Sequence, residues 1–329
     1  MRALLLHHPY TYPRFEQDFV AHIAELPEFD VAPANLEALD TGLLVSHDRT
    51  IELERYDAVI VFVAFRRLRK ATTLAWGQFS GLRVLMDHDI IQNYSSIFDA
   101  SLGGAWPPVF HRHRFDSIVT SGRIVQGRLE DDGIAADWVP KGFEPARFAN
   151  KSTRRAGIAT YGSAYACRQI VERAVRDAGL PLTRLPTTRY PKLGALLNRF
   201  LGCMAISSDI DLPQSAPLES AAALAVAMRP GIEPMAKFFE GAGAGCCPIA
   251  DAMEDLAALG FRDGETALTF HTHAELVDKL RTALRTPEKL QAIGAAAAKL
   301  AHAEHTWGHR AQTLREAIID RLRLKITSN

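Results

Sequence analysis

Short, densely apolar runs alternate along this chain with longer stretches whose apolar residues recur every three or four positions. The short runs predict strands: RALLLHH (2–8), a segment of FDVAPANLE, YDAVIVFVAF (56–65), LRVLMDHD (82–89) and FDSIVTSG (115–122). Of these, 56–65 is the strongest, opened by Asp57 and filled with β-branched residues. TYPRFEQDFVAHIAEL (11–26) and RIVQGRLEDDG predict helices, and AADWVPKGF ends this half. The alternation then restarts. RRAGIATYGS (154–163) and GCMAISSD (202–209) predict strands, with the helix AYACRQIVERAVRDAG and the strand-like LPLTRLP between them. KFFEGAGAG predicts a helix and CCPIAD a strand, and three amphipathic helices close the sequence. Strands alternating with helices require crossover connections and hence parallel sheets. Two such halves predict an α/β protein of two Rossmann-like domains facing across a central cleft, with a ligand at the carboxyl ends of the strands. The polar, turn-rich GFEPARFANKST (142–153) reads as the linker. The expected domains are 1–148 and 149–307, with 308–329 a helix that packs back toward the first.

Composition narrows the classes. A chain of 329 residues, 47% hydrophobic and 23% charged, has core material for two globular domains. Its formal net charge of zero gives it no global attraction to nucleic acid or to anionic membranes. Residues 1–150 hold about 15 Lys and Arg against about 20 Asp and Glu, and the remainder reverses that imbalance, so the second half suits an anionic ligand. Cys167, Cys203, Cys246 and Cys247 form no C-x-x-C pair and no zinc spacing. They read as reduced core thiols of a cytoplasmic protein. The apolar run in MRALLLHHPY is too short for a signal peptide, and no run is long enough to span a bilayer.

The stretch 231–251 carries the most chemistry. Pro234 suits the start of a helix, which leaves the amides of Met235 and Ala236 without intrahelical acceptors, a ready site for phosphate. Lys237 and Glu240 are three apart and share a face, with Phe238 and Phe239 turned to the core. Gly241–Gly245 holds only glycine and alanine, which lets backbone lie close to another backbone or to a flat ligand.

FFEGAGAGCCPIAD resembles the nucleotide-sugar motif of two-domain (GT-B) glycosyltransferases, closest to the retaining family-4-like enzymes and the CgeB-like "spore maturation" glycosyltransferases. The resemblance extends through GFRDGETALTFHTHAELVDKL to the helix TWGHR, and backward through FDSIVTSGRIVQGRLEDDGIAADWVPKGFEPARF to LMDHD, covering about residues 82–310. It implies a nucleotide-diphosphate sugar as donor substrate, an acceptor hydroxyl, no metal and no other cofactor. It implies that Glu240 accepts hydrogen bonds from the donor ribose, for which a carboxylate has only acceptors to offer. Lys237 is either a phosphate partner or an ion pair to Glu240. Gly162, Ser163 and Arg168, in TYGSAYACR, fall in the loop where relatives bind the diphosphate, and Arg229, just before PGIEP, is a second candidate for it; for Arg168 a solvated helix position is the alternative. Relatives carry two glutamates with seven residues between them, whereas Glu233 and Glu240 have six, so Glu233 reaches the donor sugar only through a shifted turn.

By the same resemblance His88 contacts the donor sugar, with Asp89 beside it at a strand end. Asn93 and Tyr94 are candidates for the acceptor side. His7 and His8 replace the glycine-rich loop of relatives and also fall on the acceptor side; adjacent histidines at a strand end point apart and make a poor metal site. FRRLRK (65–70) and HRHR (111–114) are basic clusters, read as solvated helix positions or as contacts to an anionic lipid or polymer. SSDID (207–211) is too weak to count as a metal motif. Two other functions remain open on these residues: a GT-B-shaped nucleotide-sugar epimerase, and a non-catalytic nucleotide-sugar-binding partner subunit.

Overall fold

A computed structural model describes residues 1–11, 14–42, 44, 51–95, 100–151, 155–207, 209–210, 228–229 and 231–328. The chain divides into two compact units: Met1–Tyr94 with Ser101–Pro140 and Trp307–Asn329, and Lys141–Thr306 with Ser95–Ala100.

The first unit is built on six strands, β1 (Ala3–His7), β2 (Phe29–Pro33), β3 (Ala58–Phe62), β4 (Leu82–Met86), β5 (Ser117–Thr120) and β6 (Ala136–Trp138). They form one parallel sheet in the order β2-β1-β3-β4-β5-β6. The central strands are buried along almost their whole length, because helices return each crossover to the sheet faces. These helices are α1 (Phe15–Ala24), α2 (Leu36–Asp40), α3 (Phe65–Lys70), α4 (Trp106–Arg112) and α5 (Arg123–Asp131). A further helix, α12 (Trp307–Ser328), comes from much later in the sequence. Its apolar stripe, Trp307, Ala311, Leu314 and Ile318, enters the same core as Phe19 and Ile23 of α1 and Met86 of β4. Ion pairs from Arg315 to Glu28, Arg321 to Asp137 and Lys325 to Asp116 fix it along the unit.

The second unit repeats the plan with β7 (Ile158–Thr160), β8 (Leu182–Arg184), β9 (Gly202–Met204), β12 (Cys247–Asp251) and β13 (Leu268–Phe270), all parallel, in the order β13-β12-β9-β7-β8. Two short antiparallel strands, β10 (Asp209–Ile210) and β11 (Met228–Arg229), stand apart from it. Its helices are α6 (Ala166–Asp177), α7 (Leu193–Leu197), α8 (Ala236–Gly243), α9 (Glu254–Ala258), α10 (His273–Leu284) and α11 (Pro287–Glu304). The unit begins at Lys141, earlier than the expected 149, because Phe143 and Phe148 of the polar stretch are fully buried in it. No helix among the described residues is long and apolar enough to cross a membrane. The four cysteines are free and buried.

The bare end of α8 is explained by close packing against protein. A Cβ on Gly241 would meet Cβ of Cys203 in β9 at 2.9 Å, and one on Gly243 would lie 2.2 Å from the Phe143 ring. Gly243→Ala is therefore expected to destabilise the second unit by about 1–3 kcal/mol, read as a lower midpoint in urea unfolding.

Candidate functional site

In the second sheet β7 is followed by β8 on one side and by β9 on the other. The loops leaving β7 and β9 therefore diverge, and ligands of open α/β sheets bind at such a reversal. Arg168, near the start of α6, spans the two loops. Its Nη1 donates to the Ser163 carbonyl after β7, and its Nη2 donates to the Ile206 carbonyl after β9 at 3.4 Å. The guanidinium is buried rather than solvated, and burial lowers its pKa. Gly162 holds φ at +87°, and a side chain there would press on Arg168 Nη1 at 3.1 Å. Arg184 of β8 donates to the Gly162 carbonyl and pairs with buried Glu172. In a trans peptide the N–H points opposite to the C=O. With two carbonyls drawn to arginines, the amides of Ser163 and Ala164 are turned the other way, and both residues are exposed.

The second element is the N-terminus of α8. Met235 is its N-cap, with extended backbone and no side-chain cap, so the amides of Ala236 and Lys237 have no intrahelical acceptor, while that of Phe238 donates to the Met235 carbonyl. Lys237 follows in the first turn. Its side chain is 6% exposed, and its Nζ has no hydrogen-bond partner among the described residues. Burial, aided by the Arg168 charge, pulls its pKa well below the usual ammonium range. No ion pair joins it to Glu240 among the described residues. The Glu240 carboxylate accepts instead from the Tyr161 hydroxyl, which burial and that carboxylate hold in its protonated form, with a pKa well above the ordinary value. Two basic side chains thus stand near a helix N-terminus and turned-out amides, with a carboxylate one turn away. The arrangement suits a ligand that carries both negative charge and hydroxyl groups.

Glu233 is fully buried and forms an ion pair with Lys141. Arg229 lies on β11, and its side chain is outside the described residues, as are Ser208 and Asp211 of the SSDID stretch.

In the first unit, His88 follows β4. It is enclosed by Phe15, Phe19, Phe62 and Trp307, with ring centroids 5.1–6.1 Å away, and is only 4% exposed. Asp89 is exposed, and its amide donates to Asp87. Asn93 accepts from the Trp106 amide at 3.0 Å, and Tyr94 donates to Asp132 at 2.7 Å. His7 ends β1 and His8 follows it, both half-buried; burial, then the charges of Arg67 and Arg14, lower the His8 pKa. Near them Arg14 forks onto buried Glu16, whose pKa burial pushes up to about 7 against that pairing.

Lys141, Tyr161, Arg184 and Glu16 were not singled out from the sequence. Each acts through a partner far along the chain or through burial, and a lone polar residue in a loop or strand carries no periodic signal for either.

A family model described as glycosyl transferase-like matches residues 213–316. No curated protein matches the sequence. Among solved structures, HepE from Anabaena, determined in complex with UDP and glucose, is 13% identical, with 97% of this chain and 100% of that chain covered and a TM-score of 0.60. Sucrose-phosphate synthase from Thermosynechococcus elongatus is 12% identical, with 99% of each chain covered and a TM-score of 0.59. A DNA-modifying β-glucosyltransferase is 10% identical, with 97% of this chain and 99% of that chain covered and a TM-score of 0.56. At these identities the likeness carries the fold, which is that of the GT-B glycosyltransferases.

Proposed function

We propose that the chain is a glycosyltransferase that moves a sugar from a nucleotide-diphosphate donor to an acceptor hydroxyl, with no metal required and the anomeric configuration retained, in the manner of the family-4-like enzymes. The observation that carries this reading is the buried Lys237 side chain, whose Nζ has no hydrogen-bond partner among the described residues, near Arg168 and at the uncapped start of α8. Burial disfavours the protonated form of Lys237, and an anion bound beside it restores that form by replacing the lost hydration. The fold-level likeness to HepE, determined with UDP and glucose, makes UDP the first nucleotide to test.

In this reading Arg168, Lys237 and the amides of Ser163, Ala164 and Ala236 hold the diphosphate, and Glu240 accepts from the ribose hydroxyls. As the bond between the anomeric carbon and the β-phosphate oxygen breaks, negative charge grows on that phosphate. Preorganised cations and N–H groups stabilise it more than they stabilise the intact donor. The acceptor oxygen bonds to the anomeric carbon on the face the phosphate leaves, and its proton passes to the departing phosphate. The cations take the part a divalent metal plays in other transferases, so a chelator is expected to leave turnover unchanged. Reduced thiols and a nucleotide-sugar substrate fit a cytoplasmic setting.

Glu240→Gln keeps an acceptor for Tyr161 but removes the charge and one acceptor from the ribose. We expect it to weaken UDP binding about 10-fold to 100-fold, as loss of a charged hydrogen bond does, with the melting temperature of the free protein little changed. Calorimetry with UDP reads the affinity, and an unaltered dissociation constant would count against the assignment. Wild-type protein given UDP-sugars with no acceptor should leave them unconverted; release of an epimerised sugar would point to the epimerase reaction.

A further inference from the structure

We propose that the first unit carries a surface for a linear polyanion bearing phosphate or sulfate groups, formed by α3 and the end of α4. The basic motifs FRRLRK and HRHR are distant in sequence, and the fold joins them. Arg112 Nη2 donates to the carbonyls of Leu68 and Arg69 at 3.3 and 2.7 Å, capping the end of α3. The next residue, His113, is fully buried. Its Nδ1 accepts from the Leu74 amide at 3.3 Å, which makes Nε2 the donor to the Leu68 carbonyl at 3.0 Å. Burial lowers its pKa, so the ring serves as a neutral clip between the two helices. The result displays Arg66, Arg67, Arg69, Lys70, Arg112 and Arg114 as exposed cations on one unit, with His111 beside them. Asp40 stands 3.7 Å from Arg67, while Lys70 and Arg114 have no carboxylate partner among the described residues.

Arg114 supplies an independent observation. Its φ is +57°, and no other non-glycine among the described residues lies in the left-handed region. It occupies the position just past α4 where glycine is favoured, closed by Arg114 N to His111 O at 3.0 Å and Phe115 N to Phe110 O at 3.2 Å. A cation is displayed there in a backbone conformation that opposes any side chain.

The place in the fold agrees. In the sheet order β2-β1-β3 the connections from β1 and β3 diverge, and α3 follows β3 directly. Arg67 acts electrostatically on His8, which follows β1, so the basic surface reaches that reversal.

The surface suits a polyanion better than a bilayer or a nucleic acid. The exposed large hydrophobic residues among those described are Met1, Leu324 and Ile326, none of them on α3 or α4. No described side chain there enters a hydrocarbon layer or stacks on a base. Guanidinium forks match phosphate and sulfate oxygens.

The test uses the full chain with fluorescently labelled inorganic polyphosphate and, separately, dextran sulfate, at about 50 and about 200 mM salt, a range over which multiple phosphate contacts weaken strongly. Wild type should bind at least one of them at low salt and lose affinity at high salt. The pair Arg66→Gln and Lys70→Gln should cut affinity about 10-fold or more, in line with two charged contacts. Arg114→Gly should lower the log-log salt slope by about 0.7–0.9, yet raise the melting temperature by about 2–4 °C as backbone strain is relieved. UDP affinity should not move in any of these variants, which separates this proposal from the donor reading. Unchanged polyanion affinity in the double variant, or binding to phosphatidylglycerol vesicles with none to either polymer, overturns it.

Discussion

Lys237→Met is expected to make the protein more stable and nearly unable to bind a nucleoside diphosphate. The ammonium is buried without a hydrogen-bond partner among the described residues, and burial with the Arg168 charge depresses its pKa. An unfolded chain keeps this proton up to a pH of about 10.4. The folded chain releases it at lower pH. Between the two values the unfolded state binds more protons, so stability rises with pH across that window. The cost to the fold is complete below the folded pKa and vanishes above the unfolded one. Met has similar length, fills the space and carries no charge. The variant should gain about 1–3 kcal/mol, the cost of a buried unsatisfied polar group, and the gain should shrink as pH approaches that of the unfolded lysine. Binding should move the opposite way. Loss of a charged contact to phosphate in a dry site corresponds to about 100-fold or more in affinity. A bound diphosphate favours the protonated lysine, so wild-type binding should take up a proton that the variant does not. Calorimetry in two buffers of different ionisation enthalpy measures this. A Met variant with wild-type UDP affinity, or one less stable than wild type, would remove Lys237 from the site.

Lys141→Met is expected to have the largest effect on stability. Lys141 and Glu233 pair at 4% and 0% exposure. Removing one partner from such a pair costs about 3–5 kcal/mol, because the charge left behind has lost both water and its counter-ion. Replacing both, as Lys141→Met with Glu233→Leu, should restore most of the loss, since an apolar pair of similar volume carries no desolvation cost. Denaturant midpoints of the two singles and the double measure the coupling. A double variant that merely adds the two single losses would mean the pair contributes nothing as a pair.

The alternation of strand and helix patterns was legible because each signal is local. The apolar runs at 2–8, 56–65, 82–89 and 115–122 become β1, β3, β4 and β5, and KFFEGAGAG becomes α8. The tight packing of its glycines was also foreseeable from composition, although the neighbours, Cys203 and Phe143, were not. The environments of single polar residues were harder to read. His88 follows an apolar run, and its four aromatic neighbours come from α1, β3 and α12, whose convergence no local pattern encodes. Phe143 and Phe148 stand in a stretch whose polar neighbours disguise them as a connection. Lys237 and Glu240 were placed correctly on one helix face, yet each looks to something else: Glu240 to Tyr161, brought in from the loop after β7, and Lys237 to no described acceptor.

Because α12 completes the core of the first unit, sequence order and folding order part company. On a ribosome, β1 to β6 emerge first but lack Trp307, Leu314 and Ile318, which close over Phe19 and Met86. The second unit, Lys141–Thr306, is contiguous apart from Ser95–Ala100 and has its whole sheet and helix set available before α12 is made. The later-synthesised half is thus free to reach its native state first. The earlier half waits with an apolar sheet face exposed, a period in which it is open to chaperone capture and to aggregation.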